Sequence, residues 1–155
     1  KEALGAEIIY LDDFVRPEAE WRGSARPGFP FPHIRYSEFQ DTVQTLKRKG
    51  ECSYFPYDWS TGQPSAEARH VSLTGPVIIE GVSPLNLDLT PLYDVKFWVE
   101  SDVKTVLEAS LARGGGDWED EWRELFLPCV ELYLAGHPKD RADFMVGGRG
   151  HSTIP

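Results

Sequence analysis

The strongest constraint in this chain is a short apolar run that ends in acid. In Ala6-Glu7-Ile8-Ile9-Tyr10-Leu11-Asp12-Asp13-Phe14, β-branched and aromatic residues fill consecutive positions, and two carboxylates follow. A run of that length without polar alternation suits a strand covered on both faces, as in a parallel sheet. Pro76-Val77-Ile78-Ile79-Glu80-Gly81 repeats the theme. In open α/β sheets, ligands gather at the carboxyl ends of the strands. If the two strands run parallel, Asp12 and Glu80 emerge on one edge. Such a pair suits Mg2+, which takes a few oxygen ligands and keeps its other positions for water and phosphate. One of the acids could also accept the proton of an attacking hydroxyl. Both acids could equally cap the next helix or face water, and spacing alone does not separate these readings. Gly81 adds a small sign of close ligand approach.

The rest of the chain supplies the other elements of an α/β domain. Leu4-Gly5 resembles a helix tail with a left-handed terminator. Residues 15–32 carry Pro17, Gly23, Pro27, Gly28, Pro30 and Pro32, which forbid long regular structure. The same stretch holds Trp21, Phe29, Phe31, Arg16, Arg22 and Arg26. Residues 15–35 are therefore expected to form an ordered, substrate-side loop. Ser37-x-x-Gln40 reads as a capping box for a helix with Phe39, Val43 and Leu46 on its buried stripe. Lys47, Arg48 and Lys49 complement the dipole at its end, and Gly50 stops it. Residues 60–74 are polar and are expected to be a loop with a helical turn over 67–70. Tyr93-Asp94-Val95-Lys96-Phe97-Trp98-Val99-Glu100 is the third predicted strand. Asp102 can cap the helix after it, with Val103, Val106, Leu107 and Leu111 on the inner face. Gly114-Gly115-Gly116 breaks that helix. Trp118, Trp122, Leu125, Cys129 and Tyr133 then keep helical spacing, with Pro128 expected to kink the helix or restart it. Asp143-Phe144-Met145-Val146-Gly147-Gly148 is the last predicted strand. The order predicts an α/β fold with a mostly parallel sheet and right-handed crossovers.

Composition narrows the function classes. The chain has 155 residues, which favours one domain, and a formal net charge of −9. That charge argues against a duplex-binding protein, which needs a basic face, but leaves room for a nucleotide in a local cationic pocket. Two cysteines, Cys52 and Cys129, without CxxC spacing point to a reducing compartment. No apolar run approaches the roughly 20 residues that span a bilayer, and no signal segment stands at the start. A cytoplasmic protein is the expectation. The four histidines and two cysteines are scattered, against a zinc site. No G-x-S-x-G elbow points to a serine hydrolase.

Tyr10-Leu11-Asp12-Asp13-Phe14, Tyr57-Asp58-Trp59, Val77-Ile78-Ile79-Glu80-Gly81-Val82 and the segment from Tyr93 to Glu100 together resemble the uridine kinase family. More broadly they resemble the nucleoside kinase, phosphoribulokinase and pantothenate kinase group of P-loop kinases. Pro138, Ala142-Asp143 and Gly147-Gly148 are similar to that family's final strand. The resemblance spans residues 6–148. It implies a three-layer α/β fold and ATP-dependent phosphorylation of a hydroxyl on a small, nucleoside-like molecule, with Mg2+. It implies that Asp12 accepts the proton of the substrate hydroxyl and, with Glu80, holds the metal. By the same resemblance Phe14, Tyr57 and Asp58 lie on the substrate side, and His33 falls in a substrate loop. Arg113 matches a lid arginine that reaches the phosphates, within a lid-like helical region over 113–135. Each has a plainer alternative: Phe14 and Tyr57 as core, His33 as a surface residue, Arg113 as a helix-end cation. A homo-oligomer is compatible with the family, and no nucleic acid or membrane partner is implied.

Two departures stand out. Where the family's lid carries further arginines, this chain has Val106, Ala109 and Ser110, with Arg123, Arg141 and Arg149 as candidate substitutes. No G-x-x-x-x-G-K-[ST] occurs in the chain. The glycine-rich Gly147-Gly148-Arg149-Gly150-His151-Ser152-Thr153 has no lysine and follows the wrong strand. In the family the phosphate loop follows a central strand, between those matching residues 77–80 and 95–99. Omitting that strand leaves rows of unpaired backbone groups, each costing on the order of 1–3 kcal/mol when buried. The expectation is that the parent protein extends upstream and supplies both strand and loop. The alternatives are a non-catalytic nucleotide- or metabolite-binding module that lost the loop, and an unrelated α/β hydrolase with an acidic metal site.

Overall fold

The computed structural model describes residues 5–112 and 118–148. Strand β1 (Glu7–Tyr10) leads into a 3-10 turn, Leu11–Phe14, and a short helix α1 (Glu18–Trp21) follows. Helix α2 (Tyr36–Lys49) is the longest element. Strands β2 (Glu51–Tyr54), β3 (Tyr57–Asp58), β4 (Gln63–Pro64), β5 (Arg69–Ser72) and β6 (Val77–Glu80) come next. After a 3-10 turn at Thr90–Leu92 come β7 (Phe97–Glu100) and α3 (Val103–Ala112). Helix α4 (Glu119–Glu121), a π-helical turn (Trp122–Phe126), α5 (Leu127–Leu134), a 3-10 turn (Pro138–Arg141) and β8 (Phe144–Gly147) follow among the described residues.

The two acid-terminated runs pair as their composition predicts. β1 and β6 are parallel, with Ile8 opposite Ile78, Ile9 opposite Ile79 and Tyr10 opposite Glu80. β7 and β8 form a second parallel pair, with Phe97 opposite Phe144 and Val99 opposite Val146. Among the described residues these two pairs are not joined by strand hydrogen bonds, so the parallel sheet exists in two pieces. The third predicted strand is shorter than expected. Its first half is irregular, and the ladder begins only at Phe97.

Residues 60–74 differ most from expectation. Instead of a loop with a helical turn over 67–70, they contain β4 and β5. β5 pairs antiparallel with β2, with Cys52 opposite Val71 and Tyr54 opposite Arg69. The physical reason is period-2 burial: Cys52, Tyr54 and Val71 point inward, while Glu51, Ser53 and His70 are exposed. Helix α2 also starts differently. It begins at Tyr36, one residue before the predicted capping box, and its N-cap, Arg35, makes no side-chain cap bond. The predicted stripe of Phe39, Val43 and Leu46 is buried, and Gly50 terminates the helix at φ 80°.

The core forms where α2, the β1 turn and the β2–β5 hairpin meet. Ile9, Leu11, Phe14, Phe39, Leu46, Tyr54 and Val71 are all buried. Phe14 stacks on Tyr54 at 4.8 Å and meets Phe39 edge-on at 5.2 Å. Residues 15–35 fold back on this core instead of hanging free. Val15 bridges Ile34, and the Arg16 amide donates to the His33 carbonyl at 2.9 Å. Trp21, Phe31 and Ile34 are buried beneath the segment. Pro128 stands at the second position of α5, directly after the π-helical turn, where a residue with no N–H to donate is tolerated. Both cysteines are buried and free.

Candidate active site

The register Tyr10–Glu80 puts the end of β1 beside the end of β6. Asp12 lies two residues beyond Tyr10 in the 3-10 turn, so the two acids share the carboxyl-end edge of one parallel pair. Both are exposed. The Glu80 carboxyl is held above its ordinary range, first by partial burial and then by the facing charge of Asp12. Two carboxylates that repel each other in this way fit a hard divalent cation, which would remove the repulsion. Among the described residues no cluster of three or more His, Cys, Asp or Glu forms a complete metal cage. The arrangement suits a cation that takes few protein ligands.

Adjacent Asp13 has a different setting. Its carboxylate turns inward, accepting the Tyr54 hydroxyl at 2.8 Å and Arg69 Nη1 at 3.3 Å. Arg35 grips the backbone of the same turn. Its Nη2 donates to the Asp13 carbonyl at 2.9 Å, its amide to the Phe14 carbonyl at 2.7 Å and its Nε to the Val15 carbonyl at 3.2 Å. Arg35 also bonds the Phe55 carbonyl at 2.8 Å and pairs with Glu38. Sequence reasoning missed Asp13, Arg35, Tyr54 and Arg69. Their one local trace was Asp13 itself, the second acid at the end of the apolar run; the pairing that brings Tyr54 and Arg69 to it left no signal.

Phe14 is fully buried, and its ring faces Phe39 and Tyr54. Gly81 has a φ of 152°, and a Cβ there would come within 2.5 Å of the Leu11 Cβ. The glycine therefore makes room for the neighbouring strand end, which is a packing reason and not a ligand reason. His33 is not the surface residue its plainer alternative supposed. Its ring stacks parallel on Phe31 and lies 4.6 Å from Phe126. Burial lowers its pKa to about 4, and its Nδ1 has no hydrogen-bond partner among the described residues. Tyr57 is buried and donates to Glu18 at 3.3 Å, and burial pushes its pKa up to about 12. The Asp58 carboxylate accepts the Ser60 amide and hydroxyl at 2.9 and 2.7 Å, an Asx turn that lowers its pKa.

An aromatic layer joins these residues to the helices after 118. Trp21 lies 5.5 Å from Trp118 and 5.7 Å from Phe126, and Trp59 meets both Tyr57 and Trp118 edge-on. Arg22 lies over the Trp118 ring at 4.7 Å and pairs with Glu121. Of the arginines considered for the phosphate end, Arg113 and Arg149 lie outside the described residues. Arg123 pairs with Glu119 at 2.7 Å, and Arg141 donates to the Leu85 and Gly136 carbonyls.

No protein-family model matches the chain, and no curated protein matches it in sequence. Solved structures do. A possible uridine kinase from Bacillus stearothermophilus superposes with a TM-score of 0.67 at 16% identity, covering 93% of this chain and 73% of that one. Phosphoribulokinase from Rhodobacter spheroides superposes with a TM-score of 0.63 at 11% identity, covering 96% and 62%. A protein assigned as a fructose transport system kinase from Silicibacter sp. TM1040 gives 0.57 at 21% identity, covering 94% and 76%. At such identities the likeness is one of backbone. The chain has the α/β fold of these P-loop kinases.

Proposed function

We propose that this chain belongs to an ATP-dependent kinase that phosphorylates a hydroxyl of a small, uridine- or nucleoside-like molecule. The observation that carries the reading is the shared edge of Asp12 and Glu80, set by the parallel register of β1 and β6. In this reading Asp12 takes the proton of the acceptor hydroxyl as its oxygen bonds to the transferring phosphorus and ADP leaves. Asp12 and Glu80 together hold Mg2+, which neutralises charge on the phosphates when bound. In this reading His33 and Tyr57 shape the acceptor side from within the buried aromatic layer, and Phe14 and Asp58 support it through packing and turn formation. Arg113 serves the phosphate end. The fold likeness to three kinases supports the reaction class.

The experiment is phosphoryl transfer by the full-length protein to a panel of nucleosides and other small alcohols with Mg2+ and ATP. Asp12→Asn is expected to lower transfer by about 10²- to 10⁴-fold while leaving ATP binding in place. Full activity in that variant removes Asp12 from the chemistry. The absence of G-x-x-x-x-G-K-[ST] from these 155 residues favours one second reading, a non-catalytic nucleotide- or metabolite-binding module. Binding without turnover on every acceptor in the panel would decide for it.

A further inference from the structure

Two neighbouring aspartates at a strand end have opposite surroundings. Asp12 is exposed on the edge it shares with Glu80, while Asp13 is turned into the protein. Both donors to the Asp13 carboxylate come from one rung of the β2–β5 hairpin, because Tyr54 and Arg69 are direct cross-strand partners. Residues on one rung of an antiparallel pair project together, so the hairpin presents a hydroxyl and a guanidinium at one point. Arg69 also donates its Nη2 to the Ile8 carbonyl of β1 at 2.7 Å. The same guanidinium therefore spans the strand and the turn that follows it. Arg35 holds the carbonyls of residues 13 and 15 from the other side.

We infer that Asp13, gripped by the Tyr54–Arg69 rung, is a positioning residue that fixes where the Asp12 carboxylate stands against Glu80. This rests on the reading of Asp12 as the proton acceptor. A four-residue 3-10 turn has poor internal hydrogen-bond geometry and does not orient a side chain by itself. Anchoring the next residue at its carboxylate and its carbonyl fixes the backbone from which the Asp12 side chain projects. Pairing Asp13 with Arg69 also balances its charge with a guanidinium, next to an edge that already carries two carboxylates. The grip acts on geometry at the reacting oxygen, so its loss should appear in kcat and not in nucleotide affinity.

The test uses the full-length protein with Mg2+ and ATP, with kcat measured per folded molecule. Asp13→Ala is expected to lower kcat about 10- to 100-fold, with KM for ATP changed no more than about twofold. Asp13→Asn keeps an acceptor oxygen for Tyr54 and should recover most of that loss. Tyr54→Phe and Arg69→Met, which each remove one donor, should fall between. Asp12→Asn run alongside separates the two ideas. If it stays active, the reading of Asp12 fails and the positioning role with it. If it is inactive while Asp13→Ala keeps wild-type kcat, the reading stands and the inference is overturned. Should Asp13→Ala not fold, unchanged kcat in both Tyr54→Phe and Arg69→Met overturns the inference, and a kcat loss at constant KM upholds it.

Discussion

The two parallel strand pairs have similar sequences, but only one of them contributes to the buried core. In β1–β6, Ile9 is fully buried and leads into Leu11 and Phe14, which are buried as well. In β7–β8, Phe97, Val99 and Phe144 are each 57% exposed, and Met145 and Val146 are exposed too. Both pairs are apolar runs of the kind expected between two covering layers. One is covered on its inner side by α2 and the β2–β5 hairpin. The other shows an apolar face that single soluble domains seldom leave bare. Apolar composition states how much cover a strand wants, and the packing partners decide whether it is met.

The largest expected effect tests that contrast directly. Phe14→Ala removes a fully buried ring and should destabilise the folded chain by about 3–5 kcal/mol. Phe144→Ala removes a ring that is more than half in solvent and stacks on Phe97 at 5.4 Å. It should cost no more than about 1 kcal/mol. Urea melts of the two variants check this, and equal losses would mean that the β7–β8 face is covered in solution.

This contrast also marks what the sequence could and could not reveal. The shared edge of Asp12 and Glu80 was legible because two apolar runs each end in a carboxylate, and a parallel pair brings both ends to one side. The α2 stripe and the Gly50 stop were legible because helical period and a left-handed glycine are local signals. The β2–β5 hairpin was not. Its strands are four residues each, separated by a long polar stretch, so alternation has too few positions to stand out. With the hairpin hidden, the Tyr54–Arg69 rung and the inward turn of Asp13 were hidden too. Arg35 was illegible for a different reason: a helix N-terminus held by tertiary bonds carries no capping signature. The bareness of β7–β8 is a matter of tertiary partners, on which a strand's own residues are silent.

A second effect sharpens the comparison within the dense half. His33 is packed neutral among Phe31, Trp21 and Phe126, and burial takes its pKa from 6.5 down to about 4. The unfolded chain therefore binds a proton more readily than the folded one. The stabilisation this gives is complete above about pH 6.5 and is lost as pH falls toward 4. Its size is on the order of 3 kcal/mol across that window. Urea midpoints measured at pH 7 and pH 4.5 should fall further apart in the native protein than in His33→Leu. Identical pH dependence in both would show that the ring is solvated, and that this layer is as open as β7–β8.

The smallest effect concerns the stretch that links the two halves. The Tyr36 hydroxyl lies 2.8 Å from Ser83 Oγ and accepts Asn86 Nδ2 at 3.2 Å, inside a fully packed setting. Asn86 in turn accepts the amides of Asp88 and Leu89 and orders the path toward β7. Tyr36→Phe leaves the ring packing in place and deletes one buried hydroxyl. Its cost should be about 1–2 kcal/mol, because Asn86 keeps its other partners. Hydrogen exchange locates the loss. Amides over residues 83–92 should exchange faster in the variant while those of β1 and α2 keep their protection, since the hydroxyl serves the link and not the core. Loss of protection spread evenly through α2 and β1 would mean that the covered half and the link unfold as one unit. The boundary between a packed half and a bare half would then lie beyond residue 92, at β7 itself.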